Sequence, residues 1–137
     1  MSSDLIQLSF DKIMQTRSYS VVILLGQQKR FAIYTEPTVG RILQMFLTEV
    51  ESPRPLTHDL IDMIFEGFDI RVKQVVINDV QDTVYYARVF LEQSEGDIKH
   101  IVEIDARPSD GLIFALMNNA PIYCTRDVLD RIIPIEE

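Results

Sequence analysis

From Ile70 to Arg107 the chain reads as three successive strands joined by turns too short to hold a helix. That run restricts the fold more than any other stretch. Ile70 to Ile77 and Thr83 to Leu91 are rich in β-branched and aromatic residues. Asn78-Asp79-Val80-Gln81-Asp82 between them has the length of a hairpin loop. Ser94-Glu95-Gly96-Asp97 then turns the chain into a third strand, Asp97 to Arg107. Strands joined this tightly must lie side by side and antiparallel. The rest of the chain must supply helices to cover one face of them.

Upstream, Ile6, Leu8 and Phe10 alternate with Gln7, Ser9 and Asp11, the period of a strand with one wet face. Residues 19 to 25 read as a buried strand, broken at Gly26-Gln27-Gln28, with Lys29 to Tyr34 as its hairpin partner. Pro37-Thr38 opens a helix whose Val39, Ile42, Leu43, Phe46, Leu47 and Val50 form one apolar stripe. The prolines of Ser52-Pro53-Arg54-Pro55 end it. Thr57 suits the N-cap of a second helix, with Leu60, Ile61, Ile64, Phe65 and Phe68 facing inward. After the meander comes an almost wholly apolar helix, Gly111 to Asn118, with Asn118-Asn119 as a left-handed stop. Ile122-Tyr123-Cys124 is a short strand, and Thr125 caps a last helix with Val128, Leu129, Ile132 and Ile133 inward. The expected fold is a single α+β domain over residues 1–137, a mixed, mainly antiparallel sheet with about four helices packed on it.

Chemistry concentrates where the meander meets the apolar helix, at Glu103, Asp105, Arg107, Ser109 and Asp110. Alternation puts Glu103, Asp105 and Arg107 on one strand face. Ser109 suits the N-cap of the helix, and Asp110 sits well at its positive end. Glu103, Asp105 and Asp110 are hard oxygen donors of the kind that hold Mg2+ or Mn2+, and Arg107 could clamp a phosphate. Equally, Asp105 and Arg107 read as an ion pair on a sheet face. A second cluster, His58 and Asp59 with Asp62 one turn on, offers a general base, since histidine ordinarily titrates near neutrality. Its plain alternative is helix capping by Thr57 and Asp59. Asn78, Asp79 and Asp82 suit a turn better than a cation site.

Several classes are excluded or disfavoured. There is no phosphate-binding glycine loop, no Gly-x-Ser-x-Gly and no paired cysteines. With two histidines and one cysteine, a thiolate-rich zinc site cannot form, and no organic cofactor is expected. No apolar run is long enough to span a bilayer, and Met1-Ser2-Ser3-Asp4 does not begin a secretory signal. A cytoplasmic protein without membrane attachment is the expectation. The net charge of -8 repels polyanions, so binding one needs a local basic patch or bridging cations.

Four blocks together carry a further message. Arg54-Pro55-Leu56-Thr57-His58-Asp59-Leu60, Val75-Val76-Ile77-Asn78-Asp79, Tyr86-Ala87-Arg88, and Asp105-Ala106-Arg107-Pro108-Ser109-Asp110 with Ala120-Pro121-Ile122-Tyr123 closely resemble the bifunctional nuclease family. The resemblance implies that family's α+β fold, homo-oligomers, and degradation of RNA and DNA with little sequence preference. Its shared polar positions fall on Arg54, Thr57, His58, Asp59, Asn78, Asp79, Arg88, Asp105, Arg107, Ser109 and Asp110. The first third departs from the pattern: the family's Ile-Gly and Glu-Ala pairs read Thr35-Glu36 and Val39-Gly40 here.

Two functional readings follow. In the first, a nuclease uses His58, Asp59, Asp105, Arg107 and Asp110 for catalysis and Arg54, Arg88 and Ser109 to bind substrate. Glu103, Asp105 and Asp110 would hold the divalent metal. In the second, the chain is a catalytically inactive oligomeric binding or regulatory module, and the same blocks lock structural elements together. Convergence of His58 and Asp59 with Asp105 and Asp110 beside an open pocket is what the first requires.

Overall fold

The computed structural model describes residues 4–50 and 57–135. In order these form β1 (Leu5–Gln15), β2 (Ser20–Gly26), β3 (Lys29–Thr35), α1 (Pro37–Leu47), α2 (Thr57–Gly67), β4 (Ile70–Gln81), β5 (Val84–Glu95), β6 (Ile98–Ala106), α3 (Pro108–Asn118), β7 (Ile122–Thr125) and α4 (Arg126–Arg131). The strands make one seven-stranded sheet in the order β3-β2-β1-β7-β4-β5-β6. Among the described residues only the β4–β7 pairing is parallel; the others are antiparallel. The α+β architecture with four helices is therefore the one expected.

The meander is longer and tighter than its sequence suggests. Asn78, Asp79 and Val80, expected in a loop, continue β4, and the chain reverses at Asp82-Thr83 with Asp82 in the left-handed region (φ 58°). Register shifts at Val72/Gln74 and Ile77/Asp79 bend β4; such bulges sharpen local twist. The twist is large enough that Phe31 of β3 and Tyr85 of β5 bring their rings within 5.3 Å, though four strands separate β3 from β5.

The sheet curls around α3. Leu112 and Ile113 are wholly buried, and Phe114 and Ala115 nearly so. A helix apolar on all sides has to lie inside the protein, and this one packs against β4, β5, β3, α1 and α2. Gly111 lets it approach: a Cβ there would lie 2.9 Å from Val75 Cγ1. Asn119 ends α3 in the left-handed conformation, and the hydroxyl of Thr125 caps α4 by accepting from the Val128 amide at 3.1 Å, both as expected.

Three expectations fail. Ser109 is not the N-cap of α3; Arg107 is, and Pro108 begins the helix because its missing amide costs nothing there. The stripe expected on α2 is only half used: Ile61 and Phe65 pack on the core, while Leu60, Ile64 and Phe68 are exposed. Val50 and Ile133, expected on the stripes of α1 and α4, lie beyond the ends of those helices and are exposed. Phe68, Val50 and Ile133 fall past the last turn of their helices, so the helical period no longer aims them at the core. No helix among the described residues is long and apolar enough to cross a membrane.

Candidate active site

Asp110, in the first turn of α3, is the centre of the polar cluster. Its Oδ1 stands 3.0 Å from Nε2 of His58, which the first turn of α2 delivers from 52 residues away. Its Oδ2 accepts from Arg107 Nε at 2.9 Å, and Arg107 Nη2 reaches Oδ1 at 3.3 Å. Arg107 Nη1 lies 3.5 Å from Glu36 Oε1 at the N-cap of α1. The starts of three helices thus meet in one line of polar side chains: His58, Asp110, Arg107, Glu36. The His58 ring also rests on Phe114, centroids 5.2 Å apart, so packing as well as hydrogen bonding fixes it. One turn further along α2, Asp62 accepts from Asn118 Nδ2 at 3.0 Å.

Electrostatics follow from this geometry. Partial burial is the largest single influence on Asp110 and raises its pKa. Hydrogen bonds from Arg107 and His58, with their charges, together outweigh it, and the carboxyl lies below its ordinary value. Arg107 is held above its own usual value, chiefly by the Asp110 hydrogen bond and charge, with Glu36 adding less. A carboxylate only accepts, so Asp110 favours the tautomer of His58 with its proton on Nε2. That puts the ring's lone pair on Nδ1.

Arg107, Pro108 and Ser109 also line a cleft of about 690 Å³, completed by Glu36, Tyr34, Tyr85, Val84, Thr83 and others from β3 and the β4–β5 turn. Tyr34 is exposed there, its ring 5.4 Å from that of Tyr19. The cleft is a product of the curl that brings β3 to β5.

The candidate residues divide. His58, Arg107 and Asp110 converge; Asp59 is half-buried beside His58 in the same helical turn; Ser109 is 5% exposed at the cleft's edge. Glu103 and Asp105 do not join them. Alternation turns them to the outer face of β6, opposite the face that packs on α3, where Asp105 pairs in register with Arg88. Arg88 Nε is 4.0 Å from Glu103 Oε1, so Arg88 also belongs to the outer face. The ion pair read between Asp105 and Arg107 is absent, because the strand ends at Ala106 and Arg107 swings to Asp110. Asn78 and Asp79 are strand residues, and Asp79 takes Arg131 of α4 at 2.6 Å. Arg54 lies outside the described residues.

Among the described residues, no three His, Cys, Asp or Glu side chains gather to hold a metal. The set Glu103, Asp105 and Asp110 is split between two faces, and both oxygens of Asp110 are engaged by His58 and Arg107. This donor arrangement does not fit a divalent ion.

Glu36 was not legible as a site residue. Its one signal is its place just before a proline that opens a helix, which puts the carboxylate at a helix start. It also bears on the departure noted above. Val39, where the family has Glu, is buried, while Glu36 one turn earlier meets Arg107. Gly40 is equally constrained, since a Cβ there would overlap the Oγ and Cβ of Ser20.

The profile of the bifunctional nuclease domain matches residues 22–134, and the chain belongs to that family. It is 38% identical over 80 residues to an uncharacterised protein of Mycobacterium tuberculosis, a match covering 58% of this chain and 44% of that protein. It is 24% identical over 103 residues to bifunctional nuclease 1 of Oryza sativa and to a bifunctional nuclease of Oryza minuta, covering 75% of this chain and 31% of each. The chain thus spans less than half the length of these relatives.

Proposed function

We propose that the chain hydrolyses phosphodiester bonds of RNA and DNA where Arg107, on the edge of the cleft, meets Asp110 and His58, which do not themselves line that cleft. The observation that carries this reading is Asp110, which orients a histidine with one carboxylate oxygen and an exposed guanidinium with the other. Arg107 would leave Glu36 and bind a phosphate oxygen pair through its planar fork. His58, its tautomer held by Asp110, would take a proton from the attacking water on Nδ1 as the water oxygen bonds to phosphorus. The departing oxygen leaves with the electrons of the broken P–O bond and is protonated by solvent. Water, unlike a ribose hydroxyl, serves RNA and DNA alike. Family membership and the two rice relatives named as nucleases support the same class.

The test is a cleavage assay on labelled single-stranded RNA and DNA, with Mg2+, with Mn2+ and with chelator. Hydrolysis that His58→Ala reduces at least about a hundredfold and Arg107→Ala at least about tenfold supports the site. Equal cutting by wild type and His58→Ala overturns it. Dependence on added metal together with Asp105→Ala inactivity would relocate the chemistry to the outer face of β6.

A second reading rests on the same contact. His58 and Asp110 join α2 to α3 with side chains only 14% and 26% exposed, so the cluster would hold the helices of an inactive binding or regulatory module. Wild-type protein inert on every nucleic acid, yet strongly destabilised by His58→Ala, is its signature.

A further inference from the structure

We infer that the cleft beside Arg107 is a stacking subsite for one unpaired nucleobase, with Tyr34 as its platform. The chain then acts on single strands and not on duplexes. The placing of a phosphate beside that base rests on the nuclease reading; the stacking itself does not.

A lone exposed ring is ordinary on a protein surface, but Tyr34 does not stand alone. Tyr19 braces it, with ring centroids 5.4 Å apart and planes at 60°. A tilted contact of this kind holds a ring without covering it, and Tyr34 stays 65% exposed. A fixed ring with an open face is what a base needs to stack on. Tyr85 and Val84 line the same cleft, and the Tyr85 ring rests on wholly buried Phe31. Burial pushes the Tyr85 phenol up to about 12, so it stays neutral and adds no charge against a phosphate. At about 690 Å³ the cleft falls within the range of roughly 300–1,000 Å³ that small-ligand pockets span. A base with its sugar is a ligand of that scale.

A second observation points to a ligand. Ser109 lines the cleft and is 5% exposed, yet its hydroxyl has no partner among the described residues. Buried hydroxyls ordinarily have one. Ser109 lies in the first turn of α3, two residues from Arg107, so a polar group entering the cleft meets a hydroxyl near the guanidinium. A hydroxyl both donates and accepts, so it serves any base or sugar. Thr83, also on the cleft wall, has the same property.

Charge explains why stacking is needed. The chain carries -8 overall, and Arg107 is the one cation among the described residues lining the cleft, with the Glu36 carboxylate beside it. A row of phosphate contacts therefore cannot hold a strand here. Stacking on an aromatic ring is indifferent to that field, and to sequence, because every base has a π-face. A duplex keeps its base faces covered by their neighbours and offers the cleft only backbone.

The experiment measures binding of the chain to fluorescent probes: a short oligothymidylate, the same strand in a duplex, and an abasic strand of equal length. All carry phosphorothioate linkages, which resist hydrolysis. The single strand is expected to bind at least about tenfold more tightly than the other two. Tyr34→Ala is expected to remove that margin with the far-UV spectrum unchanged, and Tyr34→Phe, which keeps the ring, to retain it. Ser109→Ala is expected to weaken single-strand binding several-fold at an unchanged melting temperature. Equal binding of the single and abasic strands overturns the inference, as does a Tyr34→Ala chain that still prefers the single strand. Cleavage of native linkages separates this from the nuclease reading. Cutting that needs Arg107, by a chain whose strand preference ignores Tyr34, sinks the subsite and keeps the nuclease. Tyr34-dependent binding by a chain that cuts nothing keeps the subsite and sinks the nuclease.

Discussion

Asp110 Oδ1 lies 3.0 Å from His58 Nε2, and that contact joins the first turns of two helices 52 residues apart in the chain. Because the other oxygen of the same carboxylate carries Arg107, removing Asp110 affects the proposed base and the proposed phosphate ligand together.

Asp110→Asn should therefore cost more activity than its modest loss of volume suggests. An amide can present its nitrogen to His58 and select the opposite tautomer, so a fall in kcat of about a hundredfold or more is expected. Steady-state kinetics on a short labelled oligonucleotide measure it.

The same carboxylate sets an acid limit. Its pKa is depressed in the folded state, so its contribution to stability is full above the unfolded carboxyl value of about 3.8. It is lost as pH falls from there through the lower folded value. Wild type should lose melting temperature across that window, and Asp110→Asn should lack this part of the dependence. Thermal melts between pH 5 and 2 compare the two slopes.

Arg107 should matter for substrate and little for the fold. Its side chain is 62% exposed, and ion pairs so open to water contribute about 1 kcal/mol or less. Arg107→Ala is expected to lower the melting temperature by only a few degrees. Losing hydrogen bonds to a charged phosphate, about 1.5–3 kcal/mol, should reduce kcat/KM roughly ten- to a hundredfold. Arg107→Lys should recover only part, having no fork. A large drop in melting temperature with unchanged kcat/KM would instead favour the locking role.

Gly40 and Ser20 should behave as a pair. Ser20 is buried, donates to Gln15 Oε1 at 2.7 Å and fills the space a side chain at position 40 would need. Gly40→Ala is expected to destabilise by about 1–3 kcal/mol through overpacking. Ser20→Gly in the Gly40→Ala background should recover part of it, a coupling that a denaturant double-mutant cycle reads directly.

Cys124 should be inert in the native protein. Burial raises its thiol pKa to about 11, and Arg126 offsets this only slightly. A thiol reagent at pH 8 should label the chain only after denaturant unfolds it. Rapid labelling of the native protein would mean that β7 opens readily.

Much of this protein was legible in the order of its residues. Period-two alternation marked the strands, Pro37 and Thr125 marked helix starts, and Asn119 marked a helix end, because each acts over a few neighbouring residues. The unbroken apolar run of α3 likewise announced a buried helix. Local pattern failed at Asn78 to Val80, where the composition is that of a turn, but the chain stays extended because β5 and α4 supply the partners.

Which charges meet was decided only by the folded chain. Sequence put Glu103, Asp105, Arg107 and Asp110 together because they are near in number. The strand's alternation and the turn at Arg107 then sent two outward and two inward. The curl of the sheet around α3 brought Glu36 and His58 to the inward pair, from parts of the chain where no short-range pattern refers to the other. Local spacing determines which way a side chain points along its own element, while long-range packing determines what it finds there.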